Sequence, residues 1–275
     1  MKVIFMGTPQ FSVPALKALI QNAEVLAVYS QPDKPVGRGL KMQASPVKQV
    51  ALEHKIPVFT PEKISTLEEV ERLKSFQADF FVVVAYGQIL KLSVIEIPKY
   101  GTINIHSSLL PRWRGAAPIQ QAILAGDEET GITTMMIALK LDAGAILLQE
   151  KTKILKEDTA VSVHDRLSEL GAKLIMPTLT ALKEGKITPQ VQDESKVTYA
   201  HKLTKEMENL DWSKSADQMD LAVRALNPWP GTKVETVEGV KLKIKKGRVL
   251  SHSPGKVKVG ALVSFGGELM VQCGS

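Results

Sequence analysis

The sequence predicts an α/β fold: a Rossmann-like, doubly wound and mostly parallel sheet, then a small C-terminal β-barrel of OB type. Three observations carry this expectation. Short apolar runs alternate with helical patterns through the first two hundred residues, and such alternation places helices on both faces of one sheet. One run, Phe80-Phe81-Val82-Val83-Val84-Ala85, is continuously apolar, β-branched and aromatic, as suits a central parallel strand covered on both faces. Beyond Pro228 the apolar period changes to two. There Val240, Leu242 and Ile244 alternate with Lys241, Lys243 and Lys245, and Val257 and Val259 with Lys256 and Lys258. A small barrel with a lysine face suits an OB-type module; the pattern alone equally describes an SH3-like barrel.

Taken in order, Val3 to Met6 is a short apolar strand that turns at Gly7-Thr8-Pro9 into a helical pattern from Val13 to Ile20. The turn is glycine-bearing, but Gly-x-Gly-x-x-Gly is absent, so no dinucleotide is expected. Val25 to Tyr29 reads as a second strand. Ser45 followed by Pro46 is a helix start, Ser as cap and Pro in the first turn, leading to about His54. Thr66 with Glu69 forms a capping box before a helix through Phe76. After the Phe80 run comes the strand Thr102 to Ile105, then a helix from about Ala117 to Ala125 ending at Gly126. Strands follow near Ile132 to Leu139 and Ile146 to Gln149, and a long amphipathic helix from about Val161 to Lys183 stops at Gly185. The predicted division is a catalytic domain over 1–185, a linker over 186–204 and a barrel domain over 205–275. Lys186 to Thr204 has no sustained period. The barrel domain opens with a helix from about Ser215 to Leu226 and the irregular Asn227-Pro228-Trp229-Pro230-Gly231, and turns at Glu238-Gly239, Pro254-Gly255 and Gly266-Gly267.

Composition narrows the class. The chain has 275 residues, 44% hydrophobic and 23% charged, with no apolar run long enough for a membrane span. Its first residues lack the apolar region and cleavage site of a secretory signal. The single cysteine, Cys273, cannot close an internal disulfide, which suits a reducing cytoplasm. Five scattered histidines without Cys/His ligand spacing argue against a structural metal. The net charge of +6 is unevenly placed: the last 48 residues hold eight Lys/Arg against three acids. A phosphate backbone and a merely solvated lysine face account for that excess equally well.

Chemistry concentrates at Asn104-Ile105-His106, which is followed at once by Ser107-Ser108-Leu109-Leu110-Pro111-Arg112-Trp113-Arg114-Gly115. Alternate residues of a strand point the same way, so Asn104 and His106 share a face at its carboxyl end, where α/β sheets bind ligands. Two adjacent hydrogen-bond donors suit a carbonyl oxygen that gains negative charge. Leu141-Asp142-Ala143-Gly144 offers a carboxylate in a turn, able to hold and charge the imidazole or relay a proton. A lone histidine after a strand is ordinarily a surface or core residue; the combination is what is specific.

That combination, with its surroundings, resembles the folate-dependent formyltransferases. The matching stretches, in family order, are Phe5-Met6-Gly7-Thr8-Pro9-Gln10-Phe11, Gln31-Pro32-Asp33-Lys34-Pro35 with Gly37-Arg38-Gly39, Val82 to Gly87, Asn104 to Pro118, Leu141 to Gly144 and Asn227-Pro228-Trp229-Pro230. Asn-x-His and the Asp alone suit any enzyme using 10-formyltetrahydrofolate. The loop from Pro32 to Met42 and the C-terminal module resemble the branch that acts on methionine already charged to initiator tRNA.

The resemblance implies a cytoplasmic monomer that needs no metal, takes 10-formyltetrahydrofolate as formyl donor and initiator methionyl-tRNA as acceptor, and does not engage a membrane. It implies that Asn104 and protonated His106 stabilise an oxyanion while Asp142 assists proton transfer. It further implies that Ser108, Leu109, Leu110 and Pro111 line the folate site, and that Gln88, Ile89 and Leu90 line its pterin pocket through backbone groups. Lys34, Arg38 and Lys41 are the implied tRNA contacts; read without the resemblance, their loop is an irregular surface excursion. The family's barrel continues through a further strand and a lysine-rich tail, so the barrel here is expected to be short of both.

Overall fold

In the computed structural model the described residues are 1–36, 41–235, 239–250, 257–265 and 267–274. The first strand, β1 (Lys2–Gly7), buries every side chain from Val3 to Met6. Helix α1 (Val13–Asn22) follows it, tied back where Ser12 Oγ donates to the Val84 carbonyl at 2.6 Å. Strand β2 (Glu24–Tyr29) leads to β3 (Lys34–Val36) and β4 (Lys41–Gln43), which pair antiparallel. The region expected to be an irregular excursion therefore contains a short antiparallel pair of strands.

Both predicted helix starts stand at their caps. Ser45 accepts from Lys48 N at the head of α2 (Pro46–Glu53), and Thr66 accepts from Glu69 N at the head of α3 (Leu67–Ser75). The capping box at Thr66 is half made, because the Glu69 carboxylate pairs with Arg72. Glu69 is buried, and a buried carboxylate demands a cation more than a backbone amide does.

The chain then runs through β5 (Val58–Phe59), β6 (Phe80–Val84), the short α4 (Leu92–Ile95) and β7 (Thr102–His106). Next come β8 (Arg114–Gly115), α5 (Pro118–Leu124), β9 (Glu129–Met136), β10 (Ile146–Lys153) and the long α6 (Ala160–Lys183). Seven strands form one sheet in the order β10-β9-β7-β6-β1-β2-β5. From β7 to β5 every neighbouring pair is parallel, and β9 meets β7 antiparallel. β6 is buried throughout, as its unbroken apolar sequence demands. The chain winds outward in opposite directions from β1 and β6, so the switch point where such sheets bind ligands lies between them, one strand away from β7.

Two compact units interleave along the chain. One comprises Met1–Gly115, Gly131–Thr152 and His164–Tyr199; the other comprises Ala116–Thr130, Lys153–Val163 and Ala200–Ser275. Within the first, α6 sits very close on β7, because a side chain at Gly171 would lie 2.9 Å from Ile105 Cγ2. The division falls within β11 (Tyr199–Ala200), and the second unit goes on to α7 (Ala216–Leu226), headed by a complete Ser215–Gln218 capping box. Its strands are β12 (Lys233–Glu235), β13 (Lys241–Lys243), β14 (Leu262–Phe265) and β15 (Glu268–Val271). Among the described residues they form two separate two-stranded ladders, β12 with β13 and β14 with β15, without closing a barrel. Lys256 lies outside the described residues. Lys258 and Val259 enter a turn closed by Ala261 N donating to the Lys258 carbonyl, so the alternation there builds no strand. Met219 and Val223 of α7 line, with Leu242, Leu262 and Met270, an apolar cavity of about 790 Å³.

Candidate active site

β7 delivers Asn104 and His106 to the carboxyl edge of the sheet, two residues apart as its pleat requires. His106 is buried and Asn104 half-buried. His106 Nε2 lies 2.9 Å from the Trp113 carbonyl. A carbonyl only accepts, so this nitrogen carries a hydrogen and donates. The other ring nitrogen, Nδ1, faces Asp142 Oδ2 at 3.7 Å. The Asn104 carboxamide has no hydrogen-bond partner among the described residues, so its N–H donors stand available.

Asp142 is placed by backbone. Its Oδ2 accepts from Gly115 N at 2.9 Å, and its own backbone lies in the left-handed region, φ +46°. Asp tolerates that conformation better than most residues, though at a cost. Trp113 (φ +65°) and Ala85 (φ +46°), which follows β6, also adopt it. Of these, Trp113 and Asp142 both face the His106 ring, and unfavourable backbone of this kind often occurs at functional sites. The side chain of Asp142 is 14% exposed and that of His106 7%, and charge acts more strongly in so dry a setting.

The predicted folate residues fall into distinct surroundings. Ser108 is fully buried and its hydroxyl donates to the Arg112 carbonyl at 2.6 Å. Leu110 is buried; its N–H donates to Thr133 Oγ1 and its carbonyl accepts from Gln149 Nε2. Leu109 and Pro111 are half-buried, so this stretch forms a pinned loop beside β7. Gln88 spends its amide on Ile64 N and the Pro61 carbonyl. Ile89 is 91% exposed, while Leu90 lies in the core beneath. Tyr86 is also core, and its carbonyl accepts from Thr8 Oγ1. Burial, then the nearby Glu69 charge, pushes the Tyr86 phenol well above its ordinary range.

Lys34 and Lys41 are exposed on β3 and β4, and Arg38 lies outside the described residues. Neither lysine is brought near His106 by any contact in the structure. Among the described residues no cluster of three or more His, Cys, Asp or Glu could hold a metal ion, and no helix is long and apolar enough to cross a membrane.

Sequence reasoning missed the supporting groups: the Trp113 carbonyl, the Gly115 amide and the Arg114 side chain. Arg114 is fully buried, donating from Nε to Gln192 at 3.0 Å and from Nη2 to Glu194 at 2.8 Å. Glu194 also pairs with Lys140 at 2.7 Å. Arg114 first, then Lys140, holds the Glu194 carboxyl down at about 2, against an ordinary 4.5. A carboxyl depressed in the fold contributes stability that is full above its unfolded pKa and is lost as pH falls through the folded one. Between about pH 5 and about pH 3, wild type should therefore lose more stability than Glu194→Gln. Urea midpoints measure this; parallel losses in the two proteins would count against the pairing.

Comparison with known proteins assigns the chain to a family. The pattern described as formyl transferase matches residues 1–179, and that of the formyl transferase C-terminal domain matches residues 202–275. A methionyl-tRNA formyltransferase of Methylococcus capsulatus is 49% identical over all of this chain and 89% of its own length. One from Hydrogenovibrio crunogenus is 50% identical over 99% of this chain and 90% of its own. Among solved structures, an N-formyltransferase from Helicobacter canadensis in complex with folinic acid and dTDP-3-aminofucose superposes with a TM-score of 0.74. It is 20% identical and covers 99% of this chain and 96% of that one. At that identity it reports shared fold alone.

Proposed function

Because this chain belongs to the formyl transferase family, we propose that it transfers the formyl group of 10-formyltetrahydrofolate to the α-amine of methionine carried on initiator tRNA. The observation that carries the reading is the His106–Asp142 pair, set beside the unpartnered Asn104 amide at the carboxyl edge of β7. The bound folate supplies an activated formyl carbonyl. A half-buried carboxamide with free N–H groups suits the formyl oxygen, and the pinned 108–111 loop gives a fixed wall for a flat donor.

In this reading Asn104 donates to the oxygen as it gains charge, which typically contributes ~10²–10³ in rate. His106, its Nε2 donating to the Trp113 carbonyl, turns Nδ1 toward the pocket and Asp142. Charged at Nδ1, the ring donates to the same developing oxyanion. Asp142 takes up the proton the attacking amine sheds and passes it toward the departing nitrogen. The carboxamide, the ring and the acid do this without a covalent enzyme intermediate.

Residues 1–185 act as the catalytic domain, with 186–199 belonging to the same compact unit, and 205–275 act as a tRNA-binding module of OB type; the whole works as a cytoplasmic monomer. Supporting the tRNA assignment are the eight basic residues among the last 48 and the exposed Lys34 and Lys41. Incubation with formyl donor and charged initiator tRNA tests the function. Formyl-methionine released from the tRNA is expected; transfer to a free amino sugar nucleotide and none to the tRNA would overturn the reading. Arg38→Ala should raise the KM for tRNA, leave donor binding unchanged and flatten the decline of activity with salt, as loss of a phosphate contact does. An unaltered salt slope removes Arg38 from that role.

A further inference from the structure

The segment after α6 lacks any period and reads from sequence as a linker, yet part of it is built into the site. Gln192 is buried. Its Nε2 donates to the carbonyls of both Asp142 and Gly144, each at 2.8 Å, and its Oε1 accepts from Arg114 Nε at 3.0 Å. The amide thus spans the turn that carries Asp142 and ties it to the buried guanidinium. Six residues on, Thr198 Oγ1 accepts from Trp113 N and the Thr198 carbonyl accepts from Arg114 N, each at 2.9 Å. The Trp113 carbonyl in turn receives the hydrogen of His106 Nε2. One short segment therefore holds the backbone behind the acid and the backbone behind the imidazole.

We propose that Gln192 is a positioning residue for Asp142, and that residues 192–198 brace the separation between Asp142 and His106. The proposal rests on the catalytic reading of Asp142 given above. Its physical basis is the left-handed backbone at Asp142. A non-glycine residue in that conformation persists when its surroundings over-determine it. The two hydrogen bonds from Gln192 to the carbonyls of that turn supply such constraint from outside it. Misplacing a reacting group by about an ångström can cost about 100-fold in rate. The 3.7 Å between Nδ1 and Oδ2 is the distance the brace sets.

A double-mutant cycle tests this. Gln192→Met keeps length and bulk while removing both donors and the acceptor. In the wild-type background it should lower kcat by up to about 100-fold, with KM for donor and for tRNA within about threefold. In the Asp142→Asn background the same change should cost less than about twofold, since the group it positions is already disabled. Equal losses in both backgrounds would overturn the brace while leaving the reading of Asp142 intact. An Asp142→Asn enzyme with wild-type turnover would instead remove that reading, and the proposal with it. Where Gln192→Met yields no folded protein, Gln192→Glu enters the same cycle. It keeps the acceptor for Arg114 and sets a carboxylate against the two carbonyls, and the same outcomes decide.

Discussion

Asp142→Asn is expected to lower turnover about 10²- to 10⁴-fold, the range general acid–base groups contribute, with little change in thermal stability. The structural role of Asp142 needs only an acceptor for Gly115 N, and the carbonyl oxygen of asparagine provides one. Its chemical role needs a charge opposite His106 Nδ1 and a site for the proton of the attacking amine; asparagine offers neither. Single-turnover rates with enzyme in excess, read beside donor and tRNA affinities, separate the two roles. A large fall in rate with both affinities held is the expected result. If affinities and rate drop together, or the melting temperature falls by several degrees, Asp142 serves the architecture and the acid must be sought elsewhere.

Gly144→Ala should be equally damaging by another route. A Cβ at position 144 would lie 1.7 Å from the Met136 carbonyl oxygen and 2.7 Å from its carbon. Both atoms are backbone at the end of β9, so no rotamer relieves the overlap, and the turn must move by an ångström or more. That turn carries Asp142, and its Gly144 carbonyl is one of the two that Gln192 holds. An ångström of misplacement can cost about 100-fold in rate, and forced overpacking about 2–3 kcal/mol in stability. Urea denaturation and kcat together check this. A protein of wild-type stability and rate would mean that the turn is not closed against β9 as described.

Much of this fold was legible because local chemistry and global arrangement agree. The unbroken Phe80–Val84 run became the buried interior strand, and Ser45 and Thr66 became caps with their side chains engaged. Where reading fell short, a long-range demand had overruled a local one. Glu69 left its cap for Arg72 in a buried setting. Lys34–Val36 and Lys41–Gln43 pair as antiparallel strands although the region reads as a loop. Lys258 and Val259 alternate like a strand but enter a turn. Leu90 and Ile89, adjacent in one motif, were parted between core and surface.

By itself the sequence determined which groups this protein has to work with: a carboxamide and an imidazole two residues apart on one strand, and an acid in a glycine-containing turn. Strand periodicity is local, so their shared face and its place at the sheet's carboxyl edge followed from neighbours in the chain. Only the tertiary structure decided which ring nitrogen meets Asp142, and that Trp113, Gly115, Arg114 and Gln192 stand behind the pair. Those partners lie up to 86 residues from His106 along the chain. Their hydrogen bonds, side chain to backbone or side chain to side chain, cross segments that carry no shared period, so packing alone brings them together.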